Sequence, residues 1–243
     1  MTTVLLFLLK CQELPMKIIS VHALSLDGAI AASAVENDAQ RMLYGLTSPE
    51  DQERVERLLK ESDAVVTGSN SLISAGKAWE VGNKSGNLVE WIVFTNNGLP
   101  ADLAFWKQKE VERTLVSQVS FADLSTPTAR FCANQLSIDK SLKNLVYAEK
   151  NPATEVVKYL QEKNAQQVLL FGGGKINKIF FEGKLVTHLE YTICPVILGG
   201  SQRVNLIDSG LNLPSKAKLL HTTLEKDHIF LSYELKHVNS LLE

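Results

Sequence analysis

Val168-Leu169-Leu170-Phe171-Gly172-Gly173-Gly174-Lys175 is the stretch on which the reading of the fold turns. Four apolar residues, β-branched at one end and aromatic at the other, read as a strand buried on both faces. Three glycines follow, and apolar residues resume at helical spacing with Ile176, Ile179 and Phe180 before Gly183. A strand that feeds a glycine turn into a helix leaves backbone N–H groups converging at the positive end of the helix. Such a place binds phosphate or pyrophosphate. The dipole alone contributes only about 0.3–1 kcal/mol, so several N–H bonds have to carry the affinity. A tight turn by itself does not require three glycines, each of which costs chain entropy.

Upstream, Leu145 to Tyr147 reads as a strand, and Asn151-Pro152 opens a helix whose apolar face is Val156, Val157 and Leu160. With Val168 to Phe171 this makes a βαβ unit, whose strands run parallel. Ile18 to Leu24 is a strand that enters the turn Ser25-Leu26-Asp27-Gly28. Ser48-Pro49-Glu50-Asp51 starts a helix, with Ser48 as cap and Pro49 in the first turn. Ala64 to Thr67 and Trp91 to Phe94 are short buried strands, ending at Gly68 and at Thr95-Asn96-Asn97-Gly98; Thr128 to Leu136 reads as a helix. Near the end the period changes to strict alternation: Leu189, Tyr191 and Ile193 in one strand, Ile229, Leu231, Tyr233 and Leu235 in another. The expected fold is therefore α/β and three-layered: a mixed, mostly parallel central sheet flanked by helices, closed by antiparallel C-terminal strands. Without repeats or linkers, residues 16–243 read as one domain. Residues 1–15 read as a tail, or as sequence ahead of a true start at Met16. Their apolar run Val4–Leu9 is far shorter than the roughly 20 residues a membrane span needs.

Composition narrows the function. The 243 residues are 45% hydrophobic and 21% charged with a net charge of −2, which leaves no electrostatic footprint for nucleic acid. Three scattered cysteines, Cys11, Cys132 and Cys194, suit a reducing cytoplasm better than a disulfide framework. The glycine turn lacks the third glycine of the Rossmann fingerprint, Asn177 standing there, and Lys175 is followed by Ile176 rather than the Ser or Thr of a Walker loop. His188-Leu189-Glu190 has zinc-deaminase spacing without the Pro-Cys-x-x-Cys that must follow, so no metal site is expected. His22 reads as a hydrogen-bonded core residue. Thr67-Gly68-Ser69-Asn70-Ser71 offers a second glycine exit, and two such turns at the carboxyl ends of parallel strands suit the two ends of a dinucleotide.

Four segments occur in a telling order: Ala23-Leu24-Ser25-Leu26-Asp27-Gly28, Ser62 to Gly68 with Ser71, Gly172-Gly173-Gly174, and Leu185-Val186 through Pro195-Val196-Ile197-Leu198-Gly199-Gly200. In this the chain resembles the reductase domain of the bifunctional riboflavin-biosynthesis deaminase–reductase, a relative of dihydrofolate reductase, over Lys17 to about Leu235. The resemblance implies a cytoplasmic homodimer that reduces a phosphoribosylamino-pyrimidine with NADPH. It also implies that Gly68, Ser69 and Ser71 contact the cofactor phosphates, that Thr95 and Asn96 lie near its adenosine end, and that Gly172, Gly173, Gly174 and Lys175 cradle the pyrophosphate. Ser25, Asp27, Gly28 and Thr47 would line the substrate side, with Asp27 as the candidate proton donor. Three positions depart from the family: Ala29 replaces a Lys, Gln52 an Arg and Phe171 an acidic residue. Loss of two cations points to an altered phosphate grip or another substrate. A reductase of another pteridine-like molecule and a non-catalytic nucleotide binder are the alternatives.

Overall fold

Short apolar runs that stop at Gly, Thr or Ser set the strand lengths, and side-chain caps set most helix starts. The computed structural model describes residues 16–147, 151–212 and 214–236, so the expectation for residues 1–15 lies outside the described residues. In chain order the elements are β1 (Lys17–Leu24), β2 (Ala29–Ala31), α1 (Asp38–Leu43), α2 (Pro49–Lys60), β3 (Ala64–Gly68), α3 (Ser69–Ala75), β4 (Glu90–Phe94), β5 (Arg113–Ser117) and α4 (Pro127–Ile138). There follow β6 (Leu142–Val146), α5 (Pro152–Glu162), β7 (Gln167–Phe171), α6 (Gly174–Glu182), β8 (His188–Ile193), β9 (Val204–Asn205), β10 (Lys216–Glu225) and β11 (His228–Lys236).

Nine strands form one sheet in the order β10-β11-β8-β1-β7-β3-β4-β5-β6, and β2 pairs with β9 in a separate ribbon. From β8 to β6 every neighbouring pair is parallel. β11 runs antiparallel to β8, and β10 to β11. Alternation along the buried strands divides the core in two. Ile18, Val66, Ile92, Val168 and Leu170 pack with Val156, Leu160 and Phe180 from α5 and α6. Ile19, Val65, Trp91, Val93, Leu115 and Leu169 pack with Leu59, Leu72 and Cys132 from α2, α3 and α4. The three layers follow from that division, and the expected mixed sheet with antiparallel C-terminal strands is the observed one.

Several details differ from the sequence reading. β6 and β7 are parallel as expected, yet β5, β4 and β3 lie between them. β8 is parallel to β1 and antiparallel to β11, so its alternation marks the strand where the sheet changes direction. Leu189 and Tyr191 face the core while Thr192 and Glu190 face α2, where Arg54 pairs with Glu190 and donates to Thr192. β5 was not legible because its first residues are polar: Arg113 and Thr114 are almost fully buried. The Arg113 guanidinium donates to Asp139 and Ser141 at 2.6 Å each, to the Phe105 carbonyl at 2.6 Å and to the Val111 carbonyl at 3.1 Å.

That cluster ties the loop before β5 to the end of α4, and truncating the arginine strands a buried carboxylate. Arg113→Met should therefore lower the unfolding free energy by about 3–5 kcal/mol. In urea denaturation this reads as a lower midpoint with an unchanged slope. A loss under about 1 kcal/mol would mean that water satisfies Asp139 equally well.

Candidate functional site

Register brings three strand ends level. Thr67 of β3 pairs with Phe171 of β7, and Gly68 pairs with Phe94 of β4. The Thr67 hydroxyl fastens the exit by donating to the Phe171 carbonyl at 2.9 Å. A cavity of about 910 Å³ opens over these carboxyl ends, where open parallel sheets bind ligands. Gly68, Ser69, Ser71, Thr95, Asn96, Gly172, Gly173, Gly174, Lys175 and Thr47 all line it, so ten of the residues singled out from sequence share one wall system.

The three glycines differ in what demands them. A Cβ on Gly172 would meet Asn177 Oδ1 at 2.6 Å and Ile176 Cβ at 2.9 Å; one on Gly174 would meet the Asn205 carbonyl at 2.7 Å. A Cβ on Gly173 would meet nothing within 4 Å, and Gly173 has φ −72°, open to any L residue. Packing thus accounts for Gly172 and Gly174, whereas Gly173 borders open cavity. α1, α2, α4 and α5 have side-chain caps, from Asn37, Ser48, Thr126 and Asn151. α3 and α6, which start at the cavity from Gly68 and Gly173, have none. Their first N–H groups are left for a ligand or water.

The remaining wall comes from β1, α1 and α2. Thr47 donates to Asp51 Oδ2 at 3.1 Å, which leaves its oxygen as an acceptor, and Asp51 also accepts from Thr192 at 2.5 Å. His22 lines the cavity with Nε2 3.1 Å from the amide nitrogen of Asn177. Burial of the ring, with Arg41 nearby, pushes its pKa down to about 3, so the imidazole is neutral at pH 7. Ser25, Asp27 and Gly28 are not on the cavity wall. Ser25 donates to Asp27 at 2.7 Å, and the other Asp27 contacts are the amides of Leu198 and Gly199 and the guanidinium of Arg203. Those hydrogen bonds hold the Asp27 carboxyl well below its ordinary range. An ionised Asp27 holds the turn and orients Arg203, which itself lines the cavity; it is not in the form that donates a proton at neutral pH.

His22, Arg41, Trp79 and Arg203 line the cavity without having been singled out for it from sequence. Only Arg41 had a local signal, the Asn37–Gln40 capping box of its short helix. No group of His, Cys, Asp and Glu among the described residues is placed to hold a metal ion.

The glycine geometry has a direct test in thermal unfolding. Gly173→Ala should leave the melting temperature unchanged, while Gly172→Ala and Gly174→Ala should each cost about 1–3 kcal/mol through overpacking. Equal losses at all three positions would contradict the open space at Gly173.

Comparison with known proteins follows the same outline. No curated protein matches the sequence. Among solved structures, a pyrimidine reductase-like protein from Corynebacterium diphtheriae superposes with a TM-score of 0.76 at 14% identity, covering 91% of this chain and 92% of that one. The riboflavin biosynthesis reductase Rib7 of Saccharomyces cerevisiae gives 0.59 at 12%, covering 91% and 90%. Dihydrofolate reductase from Enterococcus faecalis, solved with NADP(H), gives 0.52 at 12%, covering 91% and 97%. These likenesses establish a dihydrofolate-reductase-like fold. The model of the RibD C-terminal domain family matches residues 16–230, and the chain belongs to that family.

Proposed function

We propose that the protein is an NADPH-dependent reductase of a phosphoribosylamino-pyrimidine, acting as a cytoplasmic homodimer. The observation that carries this reading is the uncapped start of α6, with open space at Gly173, over the exits of adjacent parallel strands. Backbone N–H groups of Gly173, Gly174 and Lys175 would hold the cofactor pyrophosphate, with Gly68, Ser69 and Ser71 on its phosphates and Thr95 and Asn96 toward the adenosine. The nicotinamide supplies the hydride when bound. The chain's own task is alignment: the walls of the cavity fix the reacting carbon against the cofactor and exclude water. The Thr47 hydroxyl proton is committed to Asp51, so its oxygen is left to accept from an N–H or O–H of the substrate. The ionised Asp27 serves by holding its turn against Leu198 and Gly199 and by aiming Arg203.

One observation favours a second substrate. Ala29, where the family has Lys, is fully buried, with its amide bonded to Ser25 Oγ at 2.9 Å. Gln52, where the family has Arg, lines the cavity without charge. A related reductase of another pteridine-like molecule is the reading this supports. Buried free thiols at Cys132 and Cys194 suit a reducing compartment, and no helix among the described residues is long and apolar enough to cross a membrane.

The homodimer reading rests on β10. This edge strand exposes Leu219, Leu220 and Leu224, the last at 69%, and an exposed apolar edge is a surface for pairing. Sedimentation should give a dimer, and Leu224→Lys should shift it toward monomer; a monomeric wild-type protein at all concentrations sinks this part.

The cofactor reading is tested by NADPH titration, followed by fluorescence, with NADH alongside. A glutamate at Gly173 would face the pyrophosphate. Two like charges about 4 Å apart repel by about 4 kcal/mol at an effective dielectric of 20, so Gly173→Glu should weaken NADPH nearly a thousandfold without unfolding the protein. Unchanged affinity in the folded variant would remove the glycine turn from the site. NADPH binding without turnover of the phosphoribosylamino-pyrimidine would favour the second substrate.

A further inference from the structure

Three cations line the cavity: Arg41, Lys175 and Arg203. Arg203 is paired with Asp27, and Lys175 belongs to the first turn of α6 beside the glycines. Arg41 differs from both. Among the described residues its guanidinium has no ion pair and no side-chain hydrogen bond, and its Nε is buried with no acceptor at all. The backbone around it is nevertheless fixed. The Asn37–Gln40 capping box anchors the start of α1, and the Arg41 carbonyl accepts from Leu46 N at 2.9 Å.

None of the acidic groups on the same wall forms an ion pair with Arg41. Asp51 shares the wall, but its two oxygens accept from Thr47 and Thr192. Asp38, on the same helix, lines the cavity without pairing with Arg41. His22 is neutral, and Thr47 and Gln52 carry no charge. A desolvated N–H without an acceptor is costly, and a guanidinium presents donors in a planar fork that fits the paired oxygens of an oxyanion. An anion beside Arg41 would supply the acceptor that its Nε lacks.

We propose that Arg41 is a specificity-determining residue that receives an oxyanion of the substrate, a phosphate monoester or a carboxylate, on the wall built by β1, α1 and α2. This deepens the reductase reading and rests on it for assigning the anion to the substrate rather than to the cofactor. The glycine turn and Lys175 take the cofactor's phosphates, and Arg41 lies on a different element. It also places the grip on α1, whereas Ala29 and Gln52, the positions that carry the family's cations, have none.

The test separates the two anion sites. In the Gly173→Glu protein, where the glycine turn is blocked, inorganic phosphate and acetate are titrated by calorimetry with Arg41, with Arg41→Gln and with Arg41→Lys. At least one anion should bind, weaken about tenfold or more in Arg41→Gln, and recover in part in Arg41→Lys; which anion does so identifies its class. In a second arm Gly173 is intact, and Arg41→Gln should change NADPH affinity less than about twofold. Equal anion affinity with and without Arg41, or no anion binding, overturns the proposal, as does a loss that falls on NADPH instead. Failure of NADPH to bind the unmutated protein sinks the reductase reading while leaving the anion arms to speak for Arg41. Melting temperatures of the Arg41 variants establish that both are folded.

Discussion

Two hydrogen atoms set how closely the pieces of this molecule approach one another. The missing side chain at Gly172 lets Asn177 and Ile176 of α6 sit against the end of β7. The missing side chain at Gly174 lets the segment from Asn205 to Asp208 close over the start of the same helix, where Asp208 N donates to the Gly174 carbonyl at 3.1 Å. Through Asn177 the contact runs on to His22 of β1 and to the Leu206 carbonyl, at 3.1 and 2.7 Å. Strand, helix, neighbouring strand and covering loop therefore meet at one point. Any larger residue at either glycine would push α6 outward and alter the cavity it opens on.

The sheet separates its charges by edge. Glu90 and Arg113 open β4 and β5, and each enters a dense ionic cluster at the amino ends: Glu90 with Lys163, Tyr159 and Thr114, Arg113 with Asp139 and Ser141. The carboxyl ends finish instead in Gly68, Thr95, Ser117 and Gly172. Burying charge stabilises only when every partner is present, so such clusters suit the closed end of the sheet. Neutral hydroxyls and bare amides suit the open end, where a ligand must replace water. This division leaves the uncapped starts of α3 and α6 where the cavity is.

Much of this was legible because the strands around the site are short apolar runs with small residues at their exits. Val168–Phe171, Ala64–Thr67 and Trp91–Phe94 announce both their burial and their ends. The glycine turn was legible as an anion site, though sequence alone could not distinguish Gly173, which borders open space, from its neighbours, which answer to packing. β5 was hidden because its buried face begins with an arginine, and β10 because neither face is buried. Ser25, Asp27 and Gly28 were legible as a turn; that the turn faces Leu198 and Gly199 rather than the cavity depends on a contact some 170 residues away in the chain, 171 for Leu198. No local pattern carries that distance.

The same long-range dependence explains why charge in the cavity cannot be counted from motifs. Arg203 reads as an unremarkable loop residue until Asp27 is seen to hold it, and Asp51 reads as a helix-start carboxylate until Thr47 and Thr192 are seen to occupy it. Arg203 is then paired within the frame, while Asp51 has both oxygens hydrogen-bonded and keeps its charge. What the described residues leave for a ligand is decided by subtraction: bare amides at α3 and α6, the Lys175 ammonium, a hydroxyl oxygen at Thr47 and one guanidinium at Arg41. A family position that loses a lysine or an arginine need not lose an anion grip, because the field inside a shared cavity depends on which charges stay unpaired, not on the strand or helix that carries them.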